Sequence, residues 1–236
     1  NYLSSKYSIS IAAAGVDYYS LESTHAEDVA GIGRVDVSNI KASAGSSSLL
    51  EISNIAGLDA DNEFLFFAHD GGNITWTTNE LPTSGLNQIQ RIEREWRLNE
   101  TGDVGTVKIA LDTTDLLARP NADYTRFVLL VDDDGDFTDA SIYEMQSVGG
   151  DNIYELDFDV SDGQYLSFGT VIPSLGFRAA TQSDFETVDP NITISLNYIP
   201  LSDVNFNYQT AAGTATGALV QNPTVDNQDY EVIAST

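Results

Sequence analysis

The chain holds 236 residues, 42% of them hydrophobic, enough for one large core or two modest ones. Acidic residues outnumber Lys and Arg by 36 to 10, and the formal net charge of −26 argues against nucleic acid and anionic lipid as partners. With no cysteine, thiol catalysis and disulfide stapling are excluded, and no apolar run approaches the ~18 residues of a membrane span.

Tyr2–Ile11 reads as a short amphipathic opening whose periodicity does not decide between a helical turn and a strand. From there to Ile172, short β-prone runs alternate with Gly, Asn and Asp punctuation. They are Leu49–Ile55, Glu63–Ala68, Ile74–Thr77, Ile89–Leu98, Thr106–Leu111, Tyr124–Val131, Ser141–Met145, Ile153–Phe158 and Tyr165–Phe168. In Thr106–Asp112 strict alternation puts Val107, Ile109 and Leu111 on one face. Many short strands without long helical stripes predict an all-β antiparallel sandwich.

Pro173 marks the boundary between a first domain, 1–172, and a second, 173–236. Beyond it Ile192–Leu196 and Val204–Tyr208 read as strands joined through Pro200–Asp203, and Thr210–Asn227 as a loop or weak edge. So few strands make an incomplete sandwich, finished downstream or by another chain. Asn1–Lys6 lacks the charged start and apolar core of a signal peptide, so the sequence reads as an excerpt of a longer protein.

Two resemblances follow from these residues. Tyr2–Ile9, Ala30-Gly31-Ile32-Gly33-Arg34, His69-Asp70-Gly71-Gly72, Arg94–Gly105 and Leu130–Asp136 occur in an order that resembles a β-rich domain of giant Bacteroidetes surface proteins. The resemblance implies type IX export and a role like that of the SprB gliding adhesins. Phe177, Asp184-Phe185-Glu186, Ile192–Leu196, Val204–Thr216 and Asp229-Tyr230 resemble the first half of a Calx-β repeat, an immunoglobulin-like sandwich associated with calcium. Ala212 replaces the acidic residue usual before Gly-Thr-Ala, and Leu219–Asp226 is an insertion. By this resemblance Glu186 and Asp229 are candidate calcium ligands.

The strongest local chemistry is Val131-Asp132-Asp133-Asp134-Gly135-Asp136-Phe137-Thr138-Asp139. Calcium takes six to eight hard oxygens at about 2.3–2.6 Å. Asp132, Asp134 and Asp136 alternate around a glycine that lets the chain curl, and Asp139 can close the ring beside a carbonyl near Phe137. The EF-hand template fails, lacking its glycine and closing glutamate. The competing reading is a polar turn whose aspartates cap backbone groups.

Catalytic signatures are scarce. His25 lies in a polar stretch, and His69 precedes a turn that it is better placed to organise than to serve as a base. No nucleophile elbow, phosphate loop or His-Glu-x-x-His is present. Arg91, Arg94 and Arg97 split between two faces of a strand, pairing with carboxylates, with Ile92, Trp96 and Leu98 inward. Trp76 and Trp96 are the candidate sugar platforms, core packing being the commoner fate of Trp.

The expectation is a non-catalytic, extracellular segment of a large cell-surface protein, stiffened by Ca2+ and serving attachment or gliding. Its partners are neighbouring domains of the same protein and surface polysaccharide, with no nucleic acid and no membrane insertion. The alternatives are a carbohydrate-binding module of a secreted hydrolase, or a filament subunit completed by strand addition.

Overall fold

The computed structural model describes residues 18–55, 57–82, 88–150, 152–177, 194–206, 217–218 and 230–231. Among them there is no helix. In chain order the strands are β1 (Glu27–Asp36), β2 (Asn39–Lys41), β3 (Ser43–Ser46), β4 (Leu50–Asn54), β5 (Glu63–His69) and β6 (Trp76–Thr77). Next come β7 (Ile89–Ile92), β8 (Trp96–Thr101), β9 (Thr106–Asp112), β10 (Arg126–Asp132), β11 (Ser141–Glu144) and β12 (Gln146–Val148). The last are β13 (Ile153–Asp159), β14 (Tyr165–Val171), β15 (Leu175–Phe177), β16 (Ile194–Leu196), β17 (Gly217–Ala218) and β18 (Tyr230–Glu231).

One antiparallel sheet runs β11-β10-β14-β8-β5-β1-β2, with β7 also on β14 and β6 on β7; the second runs β12-β13-β9-β4-β3. The alternation in Thr106–Asp112 behaves as its sequence requires: Val107, Ile109 and Leu111 are fully buried. They meet Leu65, Phe67, Trp96 and Leu98 of the other sheet in one core, so the first domain is the antiparallel β-sandwich expected. β15 pairs with β16, and β17 with β18 in parallel.

The run Ile89–Leu98 is interrupted rather than continuous. β7 and β8 both lie antiparallel to β14, Gly169 facing Arg91 and Leu166 facing Trp96. Between them Glu93–Glu95 loops out, and Ser167 Oγ lies within hydrogen-bonding distance of the Ile92 and Arg94 carbonyls (3.2 and 3.1 Å). The loop is locked from the other side by the His69–Gly72 turn. Asp70 Oδ1 accepts from the Glu95 amide at 3.1 Å, and Arg94 Nε donates to the Gly72 carbonyl at 2.8 Å.

β1 through β3 were not legible as strands, because Gly31 and Gly33 in β1, Asn39 and Lys41 in β2 and Gly45 in β3 have low strand propensity. Cross-strand pairing explains how β1 holds. Gly31 faces Phe66 and Gly33 faces Phe64 on β5, so the rings lie over bare backbone. Val204–Phe206, expected to begin a strand, has no strand assignment. Tyr2–Ile11 lies outside the described residues.

β10 is buried on both faces, as its unbroken apolar run suggests. Phe127, Leu129 and Val131 enter the main core, while Val128 and Leu130 point to the other face. There Phe137 and Ala140, from the loop after β10, join Ile89 and Val171 in a second cluster. That packing folds the aspartate loop back over its own sheet.

The described residues divide into two units. The first takes everything to Gly176 together with Ser195–Leu201, and the second takes the remainder. In the first unit Ile199 lies parallel to Tyr143 at the β11 edge, its amide donating to the Ile142 carbonyl at 2.7 Å. Buried Asn197 bonds the Ile172 carbonyl and the Ser174 amide, both at 3.0 Å. Of the second unit, the described parts are short strand segments and Ser202–Phe206.

Candidate metal centre

β10 delivers Asp132 to the rim of the sandwich with only 4% of its surface exposed. Its Oδ2 accepts from the Asp134 amide (3.0 Å) and the Gly135 amide (2.6 Å). Gly135 adopts φ of +89°, and a Cβ there would stand 3.0 Å from the Tyr165 ring, so the tight turn requires glycine. Asp134 Oδ1 then accepts from the Asp136 amide at 2.8 Å, and Asp136 Oδ1 from the Thr138 amide at 3.3 Å.

These caps do not exhaust the carboxylates. Asp132, Asp134 and Asp139 each offer an oxygen to one point, the three atoms lying within 4.8 Å of one another. Two ligands of a common calcium at about 2.3–2.6 Å sit no more than ~5 Å apart, so the three carboxylates are close enough for a cation to draw them together. Asp136 is not among the three; its carboxylate is turned to Thr138. Capping and convergence thus coexist in one loop. Glu186 and Asp229 lie outside the described residues.

The three aspartates line a cleft of about 210 Å³ whose walls include Ser141, Tyr143, Phe158 and Gln164. Burial raises the pKa of Asp132, and the charges of Asp134 and Asp139 raise it further, against the two amides that lower it. A buried carboxylate facing two others is the electrostatic setting that a divalent cation relieves. Gln164 Nε2 reaches Asp133 Oδ1 at 3.4 Å. These wall residues come from β11, β13 and the turn before β14, and no local sequence signal links them to the loop.

Other sequence candidates occupy different surroundings. His69 Nδ1 accepts from the Gly71 amide at 3.0 Å, and its Nε2 faces Asp28 Oδ2 at 3.3 Å, so both ring nitrogens are engaged. His25 is buried, with Nδ1 3.0 Å from Thr24 Oγ1. Burial lowers the pKa of both histidines. Arg91 pairs with Glu80 (2.6 Å) and Glu95 (2.9 Å). Trp96 is fully buried and cannot stack on an external sugar. Trp76 is partly buried against the core, its indole N–H directed at the Leu117 and Ala118 carbonyls (3.3 and 3.0 Å). A groove of about 310 Å³ on the outer face of the second sheet is lined by residues such as Gly45, Ser53, Lys108, Ala110 and Glu155, with no aromatic side chain.

A family model described as a domain of unknown function, DUF8202, matches residues 1–164. The chain belongs to the DUF8202 family. No curated protein and no solved structure gave a match. Within this DUF8202 chain the matched stretch includes the whole aspartate loop and stops one residue before β14. β14 is nonetheless integral to the same sheet, bonded to β10 along its full length. On physical grounds the folded domain extends at least to Val171.

Proposed function

We propose that this DUF8202 domain is a non-catalytic structural and adhesive segment of a large bacterial cell-surface protein, stiffened by calcium. The observation that carries the reading is the convergence of Asp132, Asp134 and Asp139 in a chain of net charge −26. A cation there cancels mutual repulsion and ties the end of β10 to the loop that follows it, restraining a sandwich that has no disulfide. The excess of carboxylate suits an extracellular setting, where calcium is plentiful. Attachment or gliding is the role proposed for the parent protein, with neighbouring domains and surface polysaccharide as partners.

Thermal melting with and without a chelator tests the calcium part. Addition of EDTA lowers the melting temperature of the wild-type chain, and Asp134→Ala blunts that response. Identical melting curves with calcium and with EDTA would remove the ion from the proposal. The adhesive part is tested on a glycan array and on cell-surface polysaccharide. Retention that disappears on Trp76→Ala would favour a carbohydrate-binding module instead.

A further inference from the structure

Tyr18–Ala26 crosses the face of the first sheet opposite the main core. Tyr19 is buried there with Val29 and Ala68, against Leu21 and Phe66, in a cluster separate from the core between the sheets. Tyr18 packs at a tilt against Phe64, 4.7 Å between ring centroids, and the Ser20 amide donates to Asn99 Oδ1 at 3.0 Å. The far end is held by His25. Its backbone amide donates to the Leu21 carbonyl at 2.9 Å, and its own carbonyl accepts from the Tyr19 hydroxyl.

Among the described residues no carboxylate bonds the His25 side chain. Thr24 Oγ1 donates to the Leu21 carbonyl at 3.5 Å, which leaves it to accept from His25 Nδ1–H. Nε2 is then the bare nitrogen; it is sealed from solvent and meets no hydrogen-bonding group among the described residues. His25 sits edge-on to Tyr165, 5.5 Å between centroids, and the same ring carries the Arg97 guanidinium at 4.8 Å. Arg97 Nε is also buried without a partner among the described residues. A proton on Nε2 would place a second cation on a ring that already holds one, with no acceptor among the described residues for the new N–H.

We infer that Tyr18–Ala26 is an acid-released clasp, held on the sheet by neutral His25 and expelled when that ring is protonated. The charged groups around the ring are Arg97 from β8, His69 from the end of β5 and Asp70 from the turn beyond it. Asp28, at the bulge in β1, engages His69, while Glu22 of the clasp acts on Tyr19. Asp70 favours the proton; Arg97, His69 and above all burial oppose it. With the folded-state pKa below the ordinary 6.5, the unfolded clasp binds the proton more tightly. Closure is therefore complete above pH 6.5 and weakens as pH falls through and below that value. Because the clasp has its own apolar cluster, it can open while the sandwich core stays shut.

Hydrogen exchange by mass spectrometry at pH 7.5 and 5.0, corrected for intrinsic exchange, tests this. Protection of the 18–27 peptide drops about tenfold or more at pH 5.0, while peptides of β5 and β8 keep theirs, and His25→Phe removes the drop. Equal protection at both pH values, an equal drop in His25→Phe, or simultaneous loss in the core would overturn the clasp. Should His25→Phe not fold, an NMR titration of the wild-type ring decides. A His25 midpoint below 6.5 that tracks loss of clasp protection supports the inference, and a midpoint at or above 6.5, or one that does not track it, defeats it.

Discussion

Trp96 Nε1 donates to Ser46 Oγ at 3.0 Å, joining β8 of one sheet to β3 of the other through two fully buried side chains. Ser46→Ala leaves the indole N–H orphaned in the core, which costs about 1–3 kcal/mol. Urea unfolding of the two chains, at unchanged m-value, measures it. A loss below a few tenths would mean that the bond contributes nothing net.

Gly31 and Gly33 both face phenylalanine rings, but they differ in what blocks a side chain. At Gly31 the nearest atoms to an added Cβ belong to the Phe66 ring, at 2.6 Å; at Gly33 the Glu63 carbonyl stands at 2.6 Å beside the Phe64 ring. A ring can turn aside and a strand backbone cannot. Gly33→Ala is therefore expected to destabilise by about 1–3 kcal/mol and Gly31→Ala by less. Equal melting temperatures for the two variants would refute the distinction.

Glu95 presents opposing influences. Its carboxylate is 2.9 Å from Arg91, yet burial outweighs that ion pair and pushes its pKa up to about 7. The folded chain thus holds this proton more tightly than the unfolded chain. The resulting penalty is full above about pH 7 and is relieved as pH falls toward the ordinary glutamate value of 4.5. Relative to wild type, Glu95→Gln should look more stable at pH 8 than at pH 5. A difference in melting temperature independent of pH would contradict this.

Within the aspartate loop the convergence is selective. Asp139→Asn should weaken calcium binding roughly tenfold or more, about 1.4 kcal/mol, whereas Asp136→Asn should change it little. Isothermal titration with calcium separates them, and equal effects would mean that the ion sits elsewhere in the loop. Lower pH should also weaken binding in the wild-type chain, because Asp132 has a raised pKa and must release its proton to the metal.

The strands with the clearest patterns were the ones legible in sequence. Thr106–Asp112 alternates because one of its faces meets the core, and the Phe127–Val131 run is unbroken because Phe137 covers its second face. β1 was hidden because Gly31 and Gly33 take their apolar cover from Phe66 and Phe64 across the ladder, a pairing that no local window contains. The break at Glu93–Glu95 was hidden likewise, since it depends on Asp70 and Ser167. The turn role expected of His69 is visible in its bond to the Gly71 amide. Of the aspartates, alternation picked out Asp132 and Asp134, and Asp139 entered as a closing ligand. Asp136 shares the spacing but spends its carboxylate on Thr138. Spacing alone does not record which way each carboxylate turns.

β14 is the last strand of the sandwich to be synthesised, yet it lies in the interior of its sheet, bonded to β10 on one side and to β7 and β8 on the other. Until residue 171 has emerged, the β10–β11 hairpin has no partner and β8 exposes an unsatisfied edge. Closure must then join strands far apart in sequence, which is slow. A nascent chain of this kind stays open until synthesis has passed that point, and a truncation at residue 164 would leave two half-sheets rather than a smaller domain.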